Sequence, residues 1–301
     1  MIVDCFTHTW ESSAQLGRIA QAAQPHGRTL APLDASPASH RIASEPTDVT
    51  VVLGFVSRYL EANISNDLVA AYVAQHPEQF VGFAGVDPSE PRQAIAEIHR
   101  AREELGMSGV AVAPAAQDFH PTDSQAMQVY AEAVALGMPL LFHTGLRLMP
   151  ATKLEYARPL LLDEVARELP AGRIVIAHLG YPWVEETVVL LAKHPHLFAE
   201  ISGLLAQPWE AFRALLTAYH HGVMDKLLFG SGFPDASPSF CIEELYSLSH
   251  LAQGTNLPGI PRDQLRGIVE RDALTLLGIH SPHMHHEKED ATDSPVSATN
   301  A

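Results

Sequence analysis

The sequence predicts an α/β fold, a (β/α)8 TIM barrel with an extra C-terminal helix, and three observations carry that expectation. Eight short apolar runs alternate with segments of helical periodicity along the 301-residue chain. The runs are continuously apolar, as strands buried on both faces of a helix-covered parallel sheet must be. Three of them end in histidine, at His8, His143 and His178. In a barrel of parallel strands such ends converge on one rim, where residues far apart in sequence can share a substrate, a metal ion or a proton.

The first strand spans Ile2 to His8, and residues 11–48, rich in Ala, Pro, Ser and Gln, read as a long loop with one short helix. Val49 to Phe55 is β-branched and too short for a helix. Asn66 to His76 follows with Leu68, Val69, Tyr72 and Val73 at helical spacing. The alternation then repeats as strand 80–86, helix 90–105, strand 108–113, helix 123–136, strand 139–143, helix 158–169, strand 173–178, helix 184–194, strand 197–202, helix 208–221, strand 226–231 and helix 239–252. Pro170, Pro195 and Gly137 stop helices, and Asp123 or Ser124 can cap one. A last helix, Pro261 to Ile279, places Leu265, Ile268, Val269, Ala273 and Leu276 on one face to pack on the barrel's outside or closed end. An open doubly wound sheet is the competing architecture, but no Gly-x-Gly-x-x-Gly follows any strand. Residues 1–279 are thus expected to form one barrel domain. Residues 280–301, nearly devoid of apolar side chains, are expected to be a disordered acidic tail in which His283, His285 and His286 are solvated.

Composition narrows the function classes. With 19 basic and 35 acidic residues the formal charge is -16, which repels phosphate backbones and anionic headgroups, so a small molecule is expected as partner, not nucleic acid or membrane. Cys5 and Cys241 are the only cysteines, one on a strand and one on a helix, which suits a reducing compartment. The N-terminus reads as a strand and not a signal peptide, and no run of about 18 apolar residues is present, so a cytoplasmic location is expected. A homodimer is compatible with the acidic surface but not required by it.

Six pieces, in order, carry a resemblance. They are Asp4 to His8; Gln79 to Ala84 with Pro88; Glu104 to Val110; Phe142-His143-Thr144-Gly145; Ala177-His178-Leu179-Gly180; and Leu228-Phe229-Gly230-Ser231. Across about residues 1–279 the chain resembles the amidohydrolase superfamily, in the branch that contains aminocarboxymuconate semialdehyde decarboxylase. In that family the first strand ends in Asp-x-His-x-His. Its two histidines join the strand-five histidine and the strand-eight aspartate around one divalent metal, and the strand-six histidine binds or polarises substrate. The resemblance therefore matches His8 and His143 to metal ligands and His178 to the substrate-polarising histidine.

Two positions depart from the pattern: Phe6 stands where the first histidine is expected, and Gly232 stands where the family has its aspartate. Neither supplies a lone pair, so the usual metal-hydroxide cycle lacks parts. Three arrangements restore chemistry. His178 can join His8 and His143 in a three-histidine shell, with zinc the best match to those donors. Asp235 can reach back three positions. Or no metal is held, and His143 and His178 act as acid and base on an activated substrate such as a lactone, an enol or a β-keto-type carboxylate. The cofactor expectation is thus one divalent metal or none, and Phe6→His with Gly232→Asp is expected to rebuild metal affinity.

Arg147 and Arg58 are candidate carboxylate anchors, because a guanidinium matches a carboxylate bidentately. Glu200 is a rim carboxylate or a hydrogen-bonded structural group, and Asp4 orients His8 or caps backbone amides. Strand alternation turns Cys5 away from a pocket that Phe6 and His8 face. The expected function is a hydrolase or decarboxylase acting on a small carboxylate-bearing molecule with an altered or absent metal site. The alternative is a catalytically inactive barrel that binds a small molecule or a protein.

Overall fold

A computed structural model describes residues 1–21, 34–145, 151–256 and 258–280. Eight parallel strands form the expected barrel: β1 (Val3–Thr7), β2 (Val49–Leu53), β5 (Phe80–Gly85), β6 (Gly109–Val112), β7 (Leu140–Phe142), β8 (Ile174–Ile176), β9 (Leu197–Glu200) and β10 (Leu227–Leu228). Each pairs in parallel with the next, with one register shift between β1 and β2. The seam between β10 and β1 closes through backbone hydrogen bonds: Cys5 N–H to Phe229 O at 2.9 Å, Gly232 N–H to Phe6 O at 3.0 Å and His8 N–H to Phe233 O at 3.0 Å.

The crossovers hold α1 (Pro37–Ala43), α2 (Asn66–Val73), α3 (Pro91–Glu103), α4 (Pro114–Gln117), α5 (Ser124–Ala135), α6 (Leu162–Glu168), α7 (Val184–Lys193), α8 (Pro208–His220) and α9 (Pro238–Ser247). Strand residues facing outward, among them Val52, Val110, Phe142, Ile176 and Leu197, pack with helix residues such as Val69, Ile98, Tyr130, Val188 and Leu215. Those facing inward, Val3, Val51, Leu53, Phe83, Leu141, Val175 and Leu228, form a second core. Burial on both faces is why the strands read as unbroken apolar runs.

The structure departs from the sequence expectation at three places. The first long loop contains two helical pieces, a 3-10 stretch over Ser13–Gln21 and α1, the latter capped by Ser36 Oγ accepting from Ser39 N–H at 3.3 Å. The chain after β2 turns into an antiparallel hairpin, β3 (Phe55–Ser57) and β4 (Ala62–Ile64), which lies against the 3-10 stretch, with Arg18 N–H bonding Leu60 O at 2.8 Å. The last helix is two: α10 (Arg262–Val269) and α11 (Ala273–Leu277). Asp272 breaks it, because its carboxylate caps the new helix by accepting from Thr275 N–H at 3.0 Å. The break lets Ala273, Leu274 and Leu277 join the inner core while Leu265, Ile268 and Val269 pack on the outer one.

Among the described residues no helix is long and apolar enough to cross a membrane, and both cysteines are buried free thiols. The expected tail lies outside the described residues except for His280.

Candidate active site

The three strand-end histidines meet. His8 and His143 have ring centroids 5.5 Å apart and His143 and His178 6.2 Å apart. Phe6 lies among them, its centroid 5.4 Å from His8, 4.9 Å from His143 and 4.8 Å from His178 in edge-on geometry. All four line one pocket of about 1010 Å³ of atom-free space, part of it open to solvent.

A β-bulge explains how Phe6 reaches that position. Asp4 is opposite Thr50 and Thr7 opposite Val52, so β1 advances three residues while β2 advances two. The extra residue breaks alternation, and both Cys5 and Phe6 join the inner core. Cys5 faces the barrel interior but does not line the pocket that Phe6 and His8 line. The thiol gains no reactivity, since burial, with the Asp4 and Glu200 carboxylates nearby, holds it protonated well above its ordinary range.

Hydrogen bonds orient two of the imidazoles. His8 Nδ1 lies 3.1 Å from Leu53 O, and a carbonyl only accepts, so Nδ1 carries the proton and Nε2 the lone pair. His178 Nδ1 lies 2.8 Å from Ser202 Oγ and 3.2 Å from Ser202 O, with the same consequence. His178 itself has left-handed backbone (φ 58°), followed by Leu179 (φ 48°), where β8 ends. Its N–H donates to Glu200 Oε1 at 2.7 Å.

Glu200 is fully buried; Oε1 also accepts from Ser202 Oγ at 2.9 Å and Oε2 from Ser202 N–H at 2.6 Å. Burial, only partly offset by these bonds, raises its pKa to about 7. Asp4 is likewise raised by burial, to about 6; its Oδ1 accepts from Ser231 N–H at 2.9 Å and Phe6 N–H at 3.2 Å, while Oδ2 is buried without a hydrogen-bond partner. Asp4 therefore caps backbone amides of β1 and of the segment after β10, the second of its two expected roles.

The rest of the pocket divides by polarity. Trp10, Leu16 and Ile19 from the first crossover and Phe55 and Ile64 from the hairpin make an apolar wall. Thr144, Ser202 and Asp235 add polar groups to the histidines. Asp235 does reach the pocket, because its N–H closes a turn onto Gly232 O at 3.0 Å. Ala113, Ala115 and Ala116 leave one side of the pocket without polar side chains.

Arg58 does not reach this pocket: it pairs with Glu90, has a side chain 75% exposed, and lines a separate groove with Asp87 and Glu97. Its expected role as anchor is corrected accordingly. Arg147 lies outside the described residues. Ser202, Trp10, Leu16 and Ile19 were not singled out from sequence. Only Glu200-Ile201-Ser202 carried a signal, as two hydrogen-bonding side chains at i and i+2 where the seventh strand run ends.

The described residues do not make a metal shell. Phe6 puts ring carbons among the three imidazoles, Gly232 adds no donor, and no group of three or more His, Cys, Asp or Glu among the described residues is arranged to hold an ion. Gly232 also has left-handed backbone (φ 77°), where a Cβ would stand 3.2 Å from Ser202 Cβ, so an aspartate there would be strained.

The amidohydrolase family model matches residues 3–279, and the chain belongs to that family. Solved structures with the same fold include an uncharacterised TIM-barrel protein from Bordetella bronchiseptica (21% identity, 92% of this chain and 98% of that one, TM-score 0.70). A dihydroxybenzoic acid decarboxylase from Polaromonas sp. JS666, with bound manganese and the inhibitor 2-nitroresorcinol, is 16% identical over 92% of this chain and 96% of its own (TM-score 0.65). A probable 2-pyrone-4,6-dicarboxylic acid hydrolase from Acinetobacter baumannii, with citric acid bound, is 15% identical over 92% and 99% (TM-score 0.60).

Proposed function

We propose that this chain is an acid–base enzyme of the amidohydrolase family that works without a resident metal, as a carboxy-lyase or hydrolase of a small carboxylate-bearing molecule with an apolar body. The observation that carries the reading is the ring of three imidazoles around Phe6, one of them, His178, held by Ser202 and Glu200. A neutral imidazole whose Nε2 carries the lone pair can take a proton from a water or an enol hydroxyl and return it to a leaving oxygen or a carbon centre. His178 has this role in the proposal and His143 is its partner. A positioned histidine contributes about 10²–10⁴-fold, which suits an activated ester or a carboxylate next to an electron sink and not an unactivated amide.

The apolar wall of Trp10, Leu16, Ile19, Phe55 and Ile64 supports a substrate body of aromatic or similar apolar character. Arg147, two residues after the pocket residue Gly145 in sequence, is the proposed carboxylate anchor. The dihydroxybenzoic acid decarboxylase and the probable 2-pyrone-4,6-dicarboxylic acid hydrolase among the similar folds are named for carboxylated substrates, which supports the substrate class alone.

The test is turnover of a panel of hydroxybenzoates and carboxylated lactones by chelator-treated protein, followed by carbon dioxide release and ring absorbance. Turnover that survives chelation and falls about 10²–10⁴-fold in His178→Asn is the expected result. Turnover that requires added manganese or zinc would overturn the metal-free reading. Binding of panel members with no turnover would favour the inactive, ligand-binding barrel, for which Phe6 among the histidines is the specific observation.

A further inference from the structure

We infer that Glu200 and Ser202 are positioning residues that fix His178 in the Nδ1-protonated tautomer and keep its Nε2 lone pair for the pocket. The inference deepens the proposed function and rests on it for the catalytic consequence, but not for the tautomer itself. It starts from a count of protons. The Ser202 hydroxyl has one, and with Glu200 Oε1 at 2.9 Å that proton goes to the carboxylate. The remaining lone pairs on Ser202 Oγ only accept, and so does the Ser202 carbonyl, so His178 Nδ1, at 2.8 Å and 3.2 Å from them, must be the donor.

The same carboxylate holds the histidine's backbone. His178 has a left-handed conformation that costs a non-glycine residue about 1 kcal/mol or more, and the 2.7 Å bond from its N–H to Glu200 Oε1 is placed to offset it. Glu200 thus grips both ends of one residue, directly at the amide and through Ser202 at the ring.

The neighbouring strand is shaped to admit the carboxylate. At Gly230 a Cβ would fall 2.2 Å from Glu200 Oε2, so any larger residue would drive the carboxylate out of place. A buried ionisable side chain bonded to the amide of one pocket histidine and to the serine that holds its ring, with a glycine opposite that makes its room, is more than a packing solution requires. His8 reaches the same tautomer at a backbone carbonyl, Leu53 O.

The experiment is nitrogen NMR of the full chain carrying ¹⁵N-histidine, with the His178 resonances assigned by their loss in His178→Asn. The wild type is expected to show His178 with a protonated Nδ1 and an unprotonated Nε2, and Ser202→Ala to shift it toward a mixture of tautomers while Ser202→Thr restores the wild-type pattern. Where a panel substrate is turned over, Ser202→Ala is expected to lower kcat about 10–100-fold with little change in KM, as the loss of an orienting partner does elsewhere. A wild-type His178 protonated at Nε2, or a tautomer unchanged in a folded Ser202→Ala, would overturn the inference. Because the spectrum is read without substrate, that failure is distinct from an absence of turnover, which bears on the proposed function alone.

Discussion

The β8–β9 side of the rim and the β10–β1 side meet at one pocket but are built on different physics. On the first, His178 is backed by Ser202 and by a buried carboxylate that accepts hydrogen bonds from His178 N–H and from the Ser202 hydroxyl and amide. On the second stand Phe6 and Gly232, neither of which brings a donor side chain, and the buried carboxylate, Asp4, spends its bonds on the backbone amides of Phe6 and Ser231. One side is organised to hold an imidazole ring in place. The other holds the barrel shut and supplies an apolar floor. The contrast is between a flank whose buried carboxylate backs a pocket imidazole and one whose buried carboxylate backs only the strand amides.

The sharpest way to break the comparison is to exchange the consequences of mutating each flank. His178→Asn is expected to reduce turnover about 10²–10⁴-fold with the melting temperature nearly unchanged, checked by steady-state kinetics beside thermal unfolding. Phe6→Ala should act in the opposite sense, costing about 3–5 kcal/mol of stability in denaturant unfolding because it empties a buried ring site. If Phe6→Ala left stability intact, the ring would not be the packed floor described here.

Glu200→Gln tests the electrostatics of the β8–β9 flank. The Glu200 carboxyl titrates near about 7 when folded, above its ordinary value of 4.5, so the folded chain binds the proton more tightly and stability attributable to this group falls as pH rises between those values. Measured against Glu200→Gln, wild-type stability should therefore decline by on the order of 3 kcal/mol from pH 4.5 to 7, and a difference that is flat with pH would show that the carboxyl is not buried as described.

Gly232→Asp is expected to destabilise by about 1 kcal/mol through its left-handed backbone, checked by the unfolding midpoint, so the double substitution with Phe6→His carries a backbone cost that sequence matching did not reveal. Arg58→Ala, on an exposed ion pair with Glu90, should change stability by less than about 0.5 kcal/mol and leave binding of panel ligands unaltered.

Much of this was legible in the chain. Strands buried on both faces leave apolar runs that cannot be hidden, so all eight barrel strands were visible, and the three histidines at their ends marked the rim. The bulge in β1 was not legible, since nothing in Asp4 to His8 announces the extra residue. The hairpin after β2 was missed because Phe55 reads as the end of the preceding strand. The break at Asp272 was missed because the apolar face of the last helix runs through it. Ser202 was passed over for a different reason: its partner His178 is 24 residues away, and only the fold brings the hydroxyl to the ring.

Phe6 and the histidines are proposed to make an acid–base pocket and not a metal centre. Adding one equivalent of manganese(II) to the full chain and recording the histidine ring signals tests it most directly, since the paramagnetic ion broadens whatever it touches. His8, His143 and His178 are expected to keep their linewidths, with turnover unchanged. Selective broadening of those three at one equivalent, with turnover rising alongside, would contradict it.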